Sequence, residues 1–333
     1  MKKRTLFILV AILLSTITLL GGCSSKQETS KQETAPKYPT KPIELVVHTN
    51  PGDGVNLFAM TLAEVLTTEK IVPQPVNVVI KAGGSGANAM AYVNTKEGDP
   101  YYLVTCQPST ITTPIRNKLD ITYKNFTPIA SVIAEDYVVV VRKDSPYQTF
   151  RDLIEDAKKN PKKVKQGSGV LGANDTVISK LIEEKAGVEF NLVPFKEGGQ
   201  MVVALLSGDV DFISANPSEI LEQVRAGKMR VLASASEQRL SAFPDVPTMK
   251  ELGIDVVFKG HRGIMAPKGI SQEVVKYWEE AILKATKTEK WKKYLNDNIV
   301  SDFYLTSEEL SKYWDELNNM YKEIYTRMGV ISN

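Results

Sequence analysis

Short runs of β-branched and apolar residues alternate with helix-like patterns from Ile43 onward, and this alternation limits the fold more than any other feature of the chain. Ile43–Val47, Val76–Ile80 and Tyr102–Thr105 predict strands, because they are short, apolar and bounded by turn residues. Helical spacing follows the first two of them. The order strand, helix, strand is typical of parallel sheets covered by helices. The sequence therefore predicts an α/β protein with mostly parallel sheets that are flanked by helices.

The same alternation continues along the rest of the chain. Two predicted helices begin with a capping pair, Thr149 with Asp152 and Thr306 with Glu309. The remaining predicted strands are Tyr137–Arg142, Val210–Ser214 and Arg230–Ser234, and the predicted helices are Asn56–Leu66, Ala87–Val93, Phe150–Lys159, Asp175–Lys185, Gly199–Ser207, Ser218–Ala226, Ser271–Ala285 and Thr306–Arg327. The apolar residues of the last helix are expected to pack in the core.

The first residues predict an export signal. Met1–Arg4 is basic, Leu6–Leu20 is mostly apolar, and Leu20-Gly21-Gly22 leads into Cys23. The apolar run is shorter than the ~20 residues that a membrane-spanning helix needs. The pattern resembles the lipobox of bacterial lipoproteins, in which the cysteine carries the lipid. We therefore predict a signal peptide over 1–22, lipidation at Cys23 and a flexible tether over 23–37, where SKQET is repeated.

Composition narrows the classes of function. Without Lys2, Lys3 and Arg4, 38 basic residues face 39 acidic ones, a formal charge of −1, and no basic block points to nucleic acid. Two histidines and two cysteines, all far apart in sequence, form no metal-binding motif. With Cys23 lipidated, Cys106 has no partner for a disulfide and is predicted to be a buried structural thiol. Neither a metal nor a cofactor is expected.

Three glycine-rich turns join predicted strands to predicted helices. They are Asn50–Asn56, Lys81–Gly86 and Gly167–Asp175. Turns of this kind aim the free N–H groups of a helix N-terminus at the edge of a sheet, where anions bind. Ligands of open α/β sheets collect at the carboxyl ends of the strands, where all three turns should lie. Together the turns predict an anion or carboxylate site.

Other readings of these residues are weaker. Gly167, Gly169 and Gly172 have the spacing of a dinucleotide-binding loop, but the preceding Lys162–Gln166 is short and basic instead of a hydrophobic strand. His48 and His261 are candidate general bases, yet no serine or cysteine is placed as an activated nucleophile. We expect each histidine to be a polar wall or surface residue.

A series of motifs in fixed order covers nearly the whole mature chain. It includes Tyr38-Pro39-x-Lys41-Pro42-Ile43, Gly98-Asp99-Pro100-Tyr101, Phe126–Ala130, Val193-Pro194-Phe195, Gly208–Phe212, Pro244–Thr248 and Arg262–Pro267. With the glycine turns, this series resembles the extracytoplasmic solute receptors of tripartite tricarboxylate transporters, the Bug-type periplasmic binding proteins. The resemblance implies a type II Venus-flytrap fold with lobe I over 38–136 and 256–333 and lobe II over 137–255. Glu135–Val138 and Asp255–Gly260 are then the candidate hinges.

The resemblance also implies a function and a site. The chain would be a monomeric binding protein, and not an enzyme, that captures a small organic carboxylate, such as a di- or tricarboxylate, for integral membrane transporter subunits. It would work outside the cytoplasm, held to the cell membrane by its lipid. The expected ligand-binding residues are Asn50, Pro51, Gly52, Asp53, Gly54, Asn56, Gly83, Gly84, Ser85, Gln107, Ser109, Ser168, Gly172, Ala173, Asn174, Asp175, Asn216 and His261.

The chain departs from the family pattern at the ligand walls. Many members carry aspartate at Asn56, arginine at Met60, histidine near Thr176 and tryptophan at His261. A ligand carboxylate near Asp53 would need distance or a cation to offset repulsion. Two alternatives stay open: a surface lipoprotein hydrolase that uses His48 or His261 with Asp53 or Asp175, and the binding protein of an ATP-driven importer.

Overall fold

The computed structural model describes residues 38–169, 173–195 and 198–332. The predicted export signal over 1–22, the tether over 23–37, the lipidation site Cys23 and the expected ligand residue Gly172 lie outside the described residues. Positions 170–172 of the third glycine-rich turn are outside them as well, and the other predicted strands, helices and site residues fall within the described ranges.

Lobe I, as the name is used below, is the six-stranded sheet with its helices. Its strand order is β11-β4-β10-β3-β1-β2. Strands β1, β2 and β3 are parallel to one another, whereas β10 runs antiparallel to both β3 and β4, and β11 antiparallel to β4. These strands are β1 (Ile43–Val47), β2 (Val76–Ile80), β3 (Tyr102–Cys106), β4 (Phe126–Glu135), β10 (Gly260–Pro267) and β11 (Ser301–Leu305).

Lobe II is the five-stranded sheet with its helices, in the order β7-β6-β8-β5-β9. Strands β6, β7 and β8 are parallel, and β5 runs antiparallel to both β8 and β9. The strands are β5 (Val138–Arg142), β6 (Lys165–Ser168), β7 (Asn191–Pro194), β8 (Phe212–Ala215) and β9 (Met229–Ser234).

Ten α-helices in the described residues cover the two sheets. Those that join the lobe I strands are α1 (Gly54–Thr68), α2 (Ala87–Asn94), α3 (Ser109–Asn117), α8 (Gln272–Thr286), α9 (Glu289–Asn298) and α10 (Ser307–Arg327); those of lobe II are α4 (Phe150–Lys159), α5 (Asn174–Ala186), α6 (Gly198–Ser207) and α7 (Pro217–Arg225). Short 3-10 turns occupy Gly84–Gly86 and Tyr123–Asn125.

The predicted fold class, two α/β lobes each built on a helix-flanked sheet, is confirmed, but the sheets are mixed instead of mostly parallel. The reason is that the chain crosses between the sheets. Strand β4 ends at Glu135 on the crossing side, and β10 re-enters the same sheet at Gly260, paired with Glu135. A strand that returns from the crossing side runs opposite to the strand that left. The proposed lobe boundaries and hinges stay predictions.

Local signals located the helices well. Both capping boxes form, Thr149 with Asp152 and Thr306 with Glu309, as predicted. In α10, Leu310, Trp314 and Tyr321 are buried, as expected for a core-facing helix, and Cys106 is a buried free thiol. The elements that sequence reasoning did not predict are α3, α9, β4, β6, β7, β10 and β11.

Candidate functional site

A cavity of about 330 Å³ lies between the two lobes, at the carboxyl ends of the parallel strands. His48 directly follows β1, Gln107 directly follows β3, and Ala173 precedes the first residue of α5. Lobe I supplies most of the wall, and lobe II contributes Ala173 and Asn174. This is the position in which open α/β sheets bind their ligands.

Six of the expected ligand residues line this cavity together. They are Ser85, Gln107, Ser109, Ala173, Asn174 and His261. His48 lines it as well. The structure therefore brings residues from the second glycine turn, the end of β3, the start of α5 and β10 to one place, although their roles in binding stay predictions.

The first glycine turn, Asn50–Asn56, does not line the cavity. Its polar groups bond to one another: the Asn50 N–H donates to Asp53 Oδ2 at 3.1 Å, and the Gly52 N–H donates to Asn56 Oδ1 at 3.5 Å. No side chain caps α1. Gly54 lies against a guanidinium group, since a Cβ atom there would come within 2.6 Å of Arg262 Nη2. The turn is thus closed on itself and faces Arg262.

The second glycine turn has a left-handed backbone. Gly83, Gly84 and Gly86 have φ of 113°, 60° and 98°, and Ser85 between them has φ 51°, a conformation that L-residues seldom adopt. The Ser85 carbonyl accepts a hydrogen bond from Thr113 Oγ1 at 2.9 Å, which ties the turn to α3. Of this turn, Ser85 lines the cavity and Gly83 and Gly84 do not.

The third glycine-rich turn, Gly167–Asp175, contains a carboxylate of the chain itself, that of Asp175. The Asp175 carboxylate accepts a hydrogen bond from the Gly169 N–H, and the N–H groups of Asp175 and Thr176 favour its charged form. Burial raises the pKa of this carboxyl, and the backbone N–H groups oppose the shift. Because the carboxyl of Asp175 stands in the first turn of α5, the N-terminus of this helix is a poor site for a ligand carboxylate.

Two other expected residues of lobe II, Ser168 and Asn216, form hydrogen bonds within the protein. Ser168 is buried, and its hydroxyl donates to the Gly169 carbonyl at 3.4 Å. Asn216 precedes α7 and donates from Nδ2 to the Asp136 carbonyl at 3.1 Å, so it ties lobe II to the crossing segment. Neither side chain lines the cavity.

Asn174 is the lobe II side chain best placed for a ligand. Its Nδ2 donates to Tyr137 Oη at 2.9 Å, and its Oδ1 accepts from Tyr321 Oη at 3.4 Å. These two tyrosines come from the crossing segment and from α10. The amide is therefore held in a fixed orientation where it borders the cavity.

Both histidines are buried in the cavity wall, and each has one ring nitrogen without a hydrogen-bond partner in the described structure. Nδ1 of His48 pairs with Thr105 Oγ1 at 3.0 Å, and Nε2 of His261 accepts from Trp314 Nε1 at 3.1 Å. The other ring nitrogens, His48 Nε2 and His261 Nδ1, have no hydrogen-bond partner in the described structure. Burial lowers the pKa of His261 to about 3. Burial, together with the Arg262 charge, lowers the pKa of His48 to about 4. Both rings are neutral at pH 7.

These contacts bear on the hydrolase alternative. Within the described residues, neither histidine forms a hydrogen bond with a carboxylate, so the pairing with Asp53 or Asp175 that this alternative requires is not formed. The described part of the chain also contains no group of three or more His, Cys, Asp or Glu side chains that could hold a metal ion.

Sequence reasoning missed two charged groups at the cavity. Glu135 lines it and forms an ion pair with Arg262. Burial raises the pKa of the Glu135 carboxyl, and the Arg262 charge opposes that shift. Arg116, in the last turn of α3, lines the cavity without an acidic partner in the described chain. Ser109, Thr112 and Arg116 have the spacing of one helix face, but α3 itself was not predicted.

A larger groove of about 970 Å³ lies on the other flank of the crossing segments. Asp136 and Lys259 line it, together with residues near β9 and β11, the edge strands on that side. No parallel strand ends there, so the smaller cavity is the better candidate site.

None of the helices in the described residues is long and apolar enough to span a bilayer.

Comparison with known proteins identifies a family that this chain resembles. Residues 61–330 match the model of the tripartite tricarboxylate transporter family receptor, TctC. A Cupriavidus necator protein encoded in the gbd 5′ region is 30% identical over 303 residues, which cover 90% of this chain and 91% of that protein. The BugT protein of Bordetella pertussis is 30% identical over 247 residues, 73% and 75% of the two chains.

Solved structures with a similar fold include a protein of the same family. A TctC solute-binding protein from Polaromonas, without ligand, superimposes with a TM-score of 0.79 at 29% identity, covering 87% of this chain and 99% of that one. Two Rhodopseudomonas palustris proteins share the fold. One is described with adipate (TM-score 0.71, 22% identity, 88% and 98% covered), and MatC has bound malate (0.67, 20%, 86% and 99%).

Proposed function

The chain belongs to the family of tripartite tricarboxylate transporter receptors, and on that premise we propose that it captures a small organic carboxylate between its two lobes. In this proposal it is a monomer, held outside the cytoplasm by a lipid on Cys23, and it delivers its ligand to the integral subunits of a tripartite tricarboxylate-type transporter.

One observation carries this proposal. The cavity of about 330 Å³ is bordered by both lobes and contains buried nitrogens that have no partner, on His48, His261 and Arg116. Leaving a buried polar group unpaired costs roughly 1–3 kcal/mol, so such groups call for a partner from outside the chain. A ligand with hydrogen-bonding oxygens would satisfy them.

Capture would follow from a change in the angle between the lobes. Glu135–Val138 and Asp255–Gly260 connect the sheets and are the proposed hinges. A ligand that contacts both Arg116 on lobe I and Asn174 on lobe II favours the closed arrangement by the difference between its affinities for the closed and open forms. The closed form would be the one that the transporter recognises.

The fold neighbours support the choice of carboxylates, since the two Rhodopseudomonas palustris proteins are described with adipate and with malate. The experiment is a thermal-shift and calorimetric screen of the chain from residue 24 onward against mono-, di- and tricarboxylates. A ligand at a hundredfold excess over its Kd should add about 2.7 kcal/mol of stability, with saturation and no turnover. If a neutral or cationic solute raises Tm and no carboxylate does, the proposal fails.

The anchor and the transporter have separate tests. Cys23→Ala should move the protein from the membrane fraction to the soluble extracytoplasmic fraction, and mass spectrometry of the wild type should find diacylglycerol on Cys23. A wild-type protein whose Cys23 carries no diacylglycerol would remove the lipid from the proposal. Transport should depend on co-expressed large and small membrane subunits; dependence on an ATPase subunit would favour the importer alternative.

A further inference from the structure

Arg116 is the cationic side chain that borders the cavity without an acidic partner in the described chain. It forms no ion pair there, and its buried Nε atom has no hydrogen-bond partner. A buried guanidinium donor without an acceptor is costly, because desolvation is not offset by a hydrogen bond. The Arg116 guanidinium is therefore available to donate hydrogen bonds to an anionic acceptor that the described chain does not supply.

Helix α3 aims this guanidinium at the cavity. Ser109, Thr112 and Arg116 lie on one face of the helix, and all three border the cavity. A long side chain in the last turn of a helix points back towards the N-terminus. Arg116 thus extends from the far end of α3 along Thr112 towards the end of β3.

The other charged and titratable groups at the cavity add no second free cation. The charge of Glu135 is balanced by Arg262 through their ion pair. His48 and His261 are neutral at pH 7, with pKa values lowered by burial to about 4 and about 3. Across the cavity, the Asp175 carboxyl stands in the first turn of α5.

We propose that Arg116 binds the ligand's carboxylate, and that the cavity selects acids with one carboxylate over acids with two. A second carboxylate would find no free cation, because Arg262 is paired with Glu135, the histidines are neutral and the start of α5 carries Asp175. An uncharged polar end would pair with the free nitrogens of the histidines and the amide of Asn174. The cavity volume of about 330 Å³ is at the small end of ligand pockets, about 300–1,000 Å³. The inference rests on the proposed function and narrows its ligand class.

The test compares acids that differ in one group. Succinate is paired with succinamate, glutarate with its half-amide and adipate with its half-amide, so that each pair differs only in a carboxylate or carboxamide at one end. Calorimetric titrations use the full chain, purified in detergent. We expect at least one half-amide to bind about tenfold or more tightly than its diacid, and Arg116→Gln to weaken that binding by about tenfold or more.

The matched control is Lys118→Gln, which removes the same charge two residues away on an exposed side chain outside the cavity. It should leave affinity unchanged, and Arg116→Lys should retain part of the binding, since it keeps the charge but loses the planar donor pair. Tighter binding of the diacids, or equal affinities of the Arg116→Gln and Lys118→Gln proteins, would overturn the inference and leave the proposed function standing. If neither member of any pair binds, the same comparison is made with whichever carboxylate the wider screen finds; if that screen finds none, the proposed function fails and the inference falls with it.

Discussion

The two cavity walls use similar glycine-rich turns in opposite ways. On lobe I, the Gly83–Gly86 turn has positive φ throughout, and Ser85 within it reaches the cavity. On lobe II, Gly167 and Gly169 are not in the left-handed region; they are needed because neighbours come close. A Cβ at Gly169 would lie 3.0 Å from both Ala173 Cβ and Asp175 Oδ1. One turn needs glycine for its backbone conformation and the other for space.

The walls also differ in charge. The lobe II turn ends at Asp175, whose carboxyl stands in the first turn of α5, whereas the lobe I wall has the free cation Arg116 and two neutral histidines. A glycine turn before a helix is thus not enough to make a ligand site, because an acidic residue in the first helical turn can occupy it. The ligand's carboxylate is then expected on lobe I.

The largest effect should come from the buried histidine of the lobe I wall. The pKa of His261 is lowered to about 3 in the folded chain, against about 6.5 in the unfolded chain. Below pH 6.5 the unfolded chain takes up a proton that the folded chain refuses, so this group costs stability as pH falls towards 3. Relative to His261→Gln, the wild type should lose about 3 kcal/mol between pH 6.5 and pH 4.

Urea unfolding at several pH values measures this difference. The raised pKa values of Glu135 and Asp175 act in the opposite direction, and His48 in the same one, but all three groups are present in both proteins and cancel in the comparison. Parallel stability curves for the wild type and the His261→Gln protein would show that the ring is not buried in its neutral form.

The second-largest expected effect is a loss of stability that differs between a glycine needed for its backbone conformation and a glycine needed for space. Gly83→Ala should cost about 2 kcal/mol, because φ 113° with ψ 159° is a region that is essentially limited to glycine, and the new Cβ would lie 2.5 Å from Asn88 Nδ2. Gly169→Ala keeps an ordinary backbone and needs neighbours to shift by a few tenths of an ångström, so about 1 kcal/mol is expected. Urea unfolding of both variants at pH 7 gives the comparison. A larger loss in Gly169→Ala would reverse the assignment of the two turns.

Sequence reasoning succeeded where signals are local. The capping boxes at Thr149 and Thr306 and the parallel strands β1 and β2 depend on neighbouring residues, and they were predicted at or close to their bounds. Helix α3 was missed because Ser109–Asn117 is rich in threonine and contains Pro114, which have low helix propensity; packing against the second glycine turn and α10 compensates. Strand β6 was missed because its sequence, KQGS, has no apolar residue, although three of its four residues are buried.

The site was harder to predict for a related reason. Ser85, Gln107 and His261 line the cavity and were expected there from the family resemblance, and Ser85 also from its glycine-rich turn. The Glu135–Arg262 pair joins residues 127 positions apart, and it forms only because β4 and β10 pair across the crossing. No pattern within a window of sequence reports such a contact. Asp175 was expected to face the ligand, and the hydrogen bond that it accepts from the Gly169 N–H became visible only with the backbone in place.

The third-largest expected effect comes from removing the negative charge of the lobe II wall, which would then resemble the lobe I wall in charge. Asp175→Asn removes the negative charge at the N-terminus of α5 while an oxygen acceptor remains, so the helix dipole should attract an anion more strongly. We expect diacids such as succinate to bind a few-fold more tightly, since a helix terminus contributes about 0.3–1 kcal/mol. Calorimetry with succinate and succinamate measures the change, and Asp245→Asn, at an exposed position of lobe II outside the cavity, is the control. Unchanged affinity for succinate would mean that Asp175 does not block an anion site.

Asp175→Asn has a pH signature of opposite sign to that of His261→Gln. Because burial raises the pKa of Asp175 in the folded chain, its contribution to stability is present below the unfolded pKa of about 3.9 and lost as pH rises through the folded value. As pH falls from 7, the wild type should therefore gain stability relative to Asp175→Asn. A loss over that range would mean that the bonds from Gly169 and Thr176 outweigh burial.

The smallest effect tests whether strain at Ser85 serves the site. Ser85 and Lys118 both have φ 51°, so glycine at either position should relieve strain and raise the free energy of unfolding by about 0.5 kcal/mol. Only Ser85 lines the cavity. Ser85→Gly should therefore be more stable but bind the carboxylate less tightly, whereas Lys118→Gly should gain stability with unchanged affinity. If both variants bind like the wild type, the left-handed serine is a feature of the turn alone, and the lobe I wall contacts its ligand through α3 and the histidines.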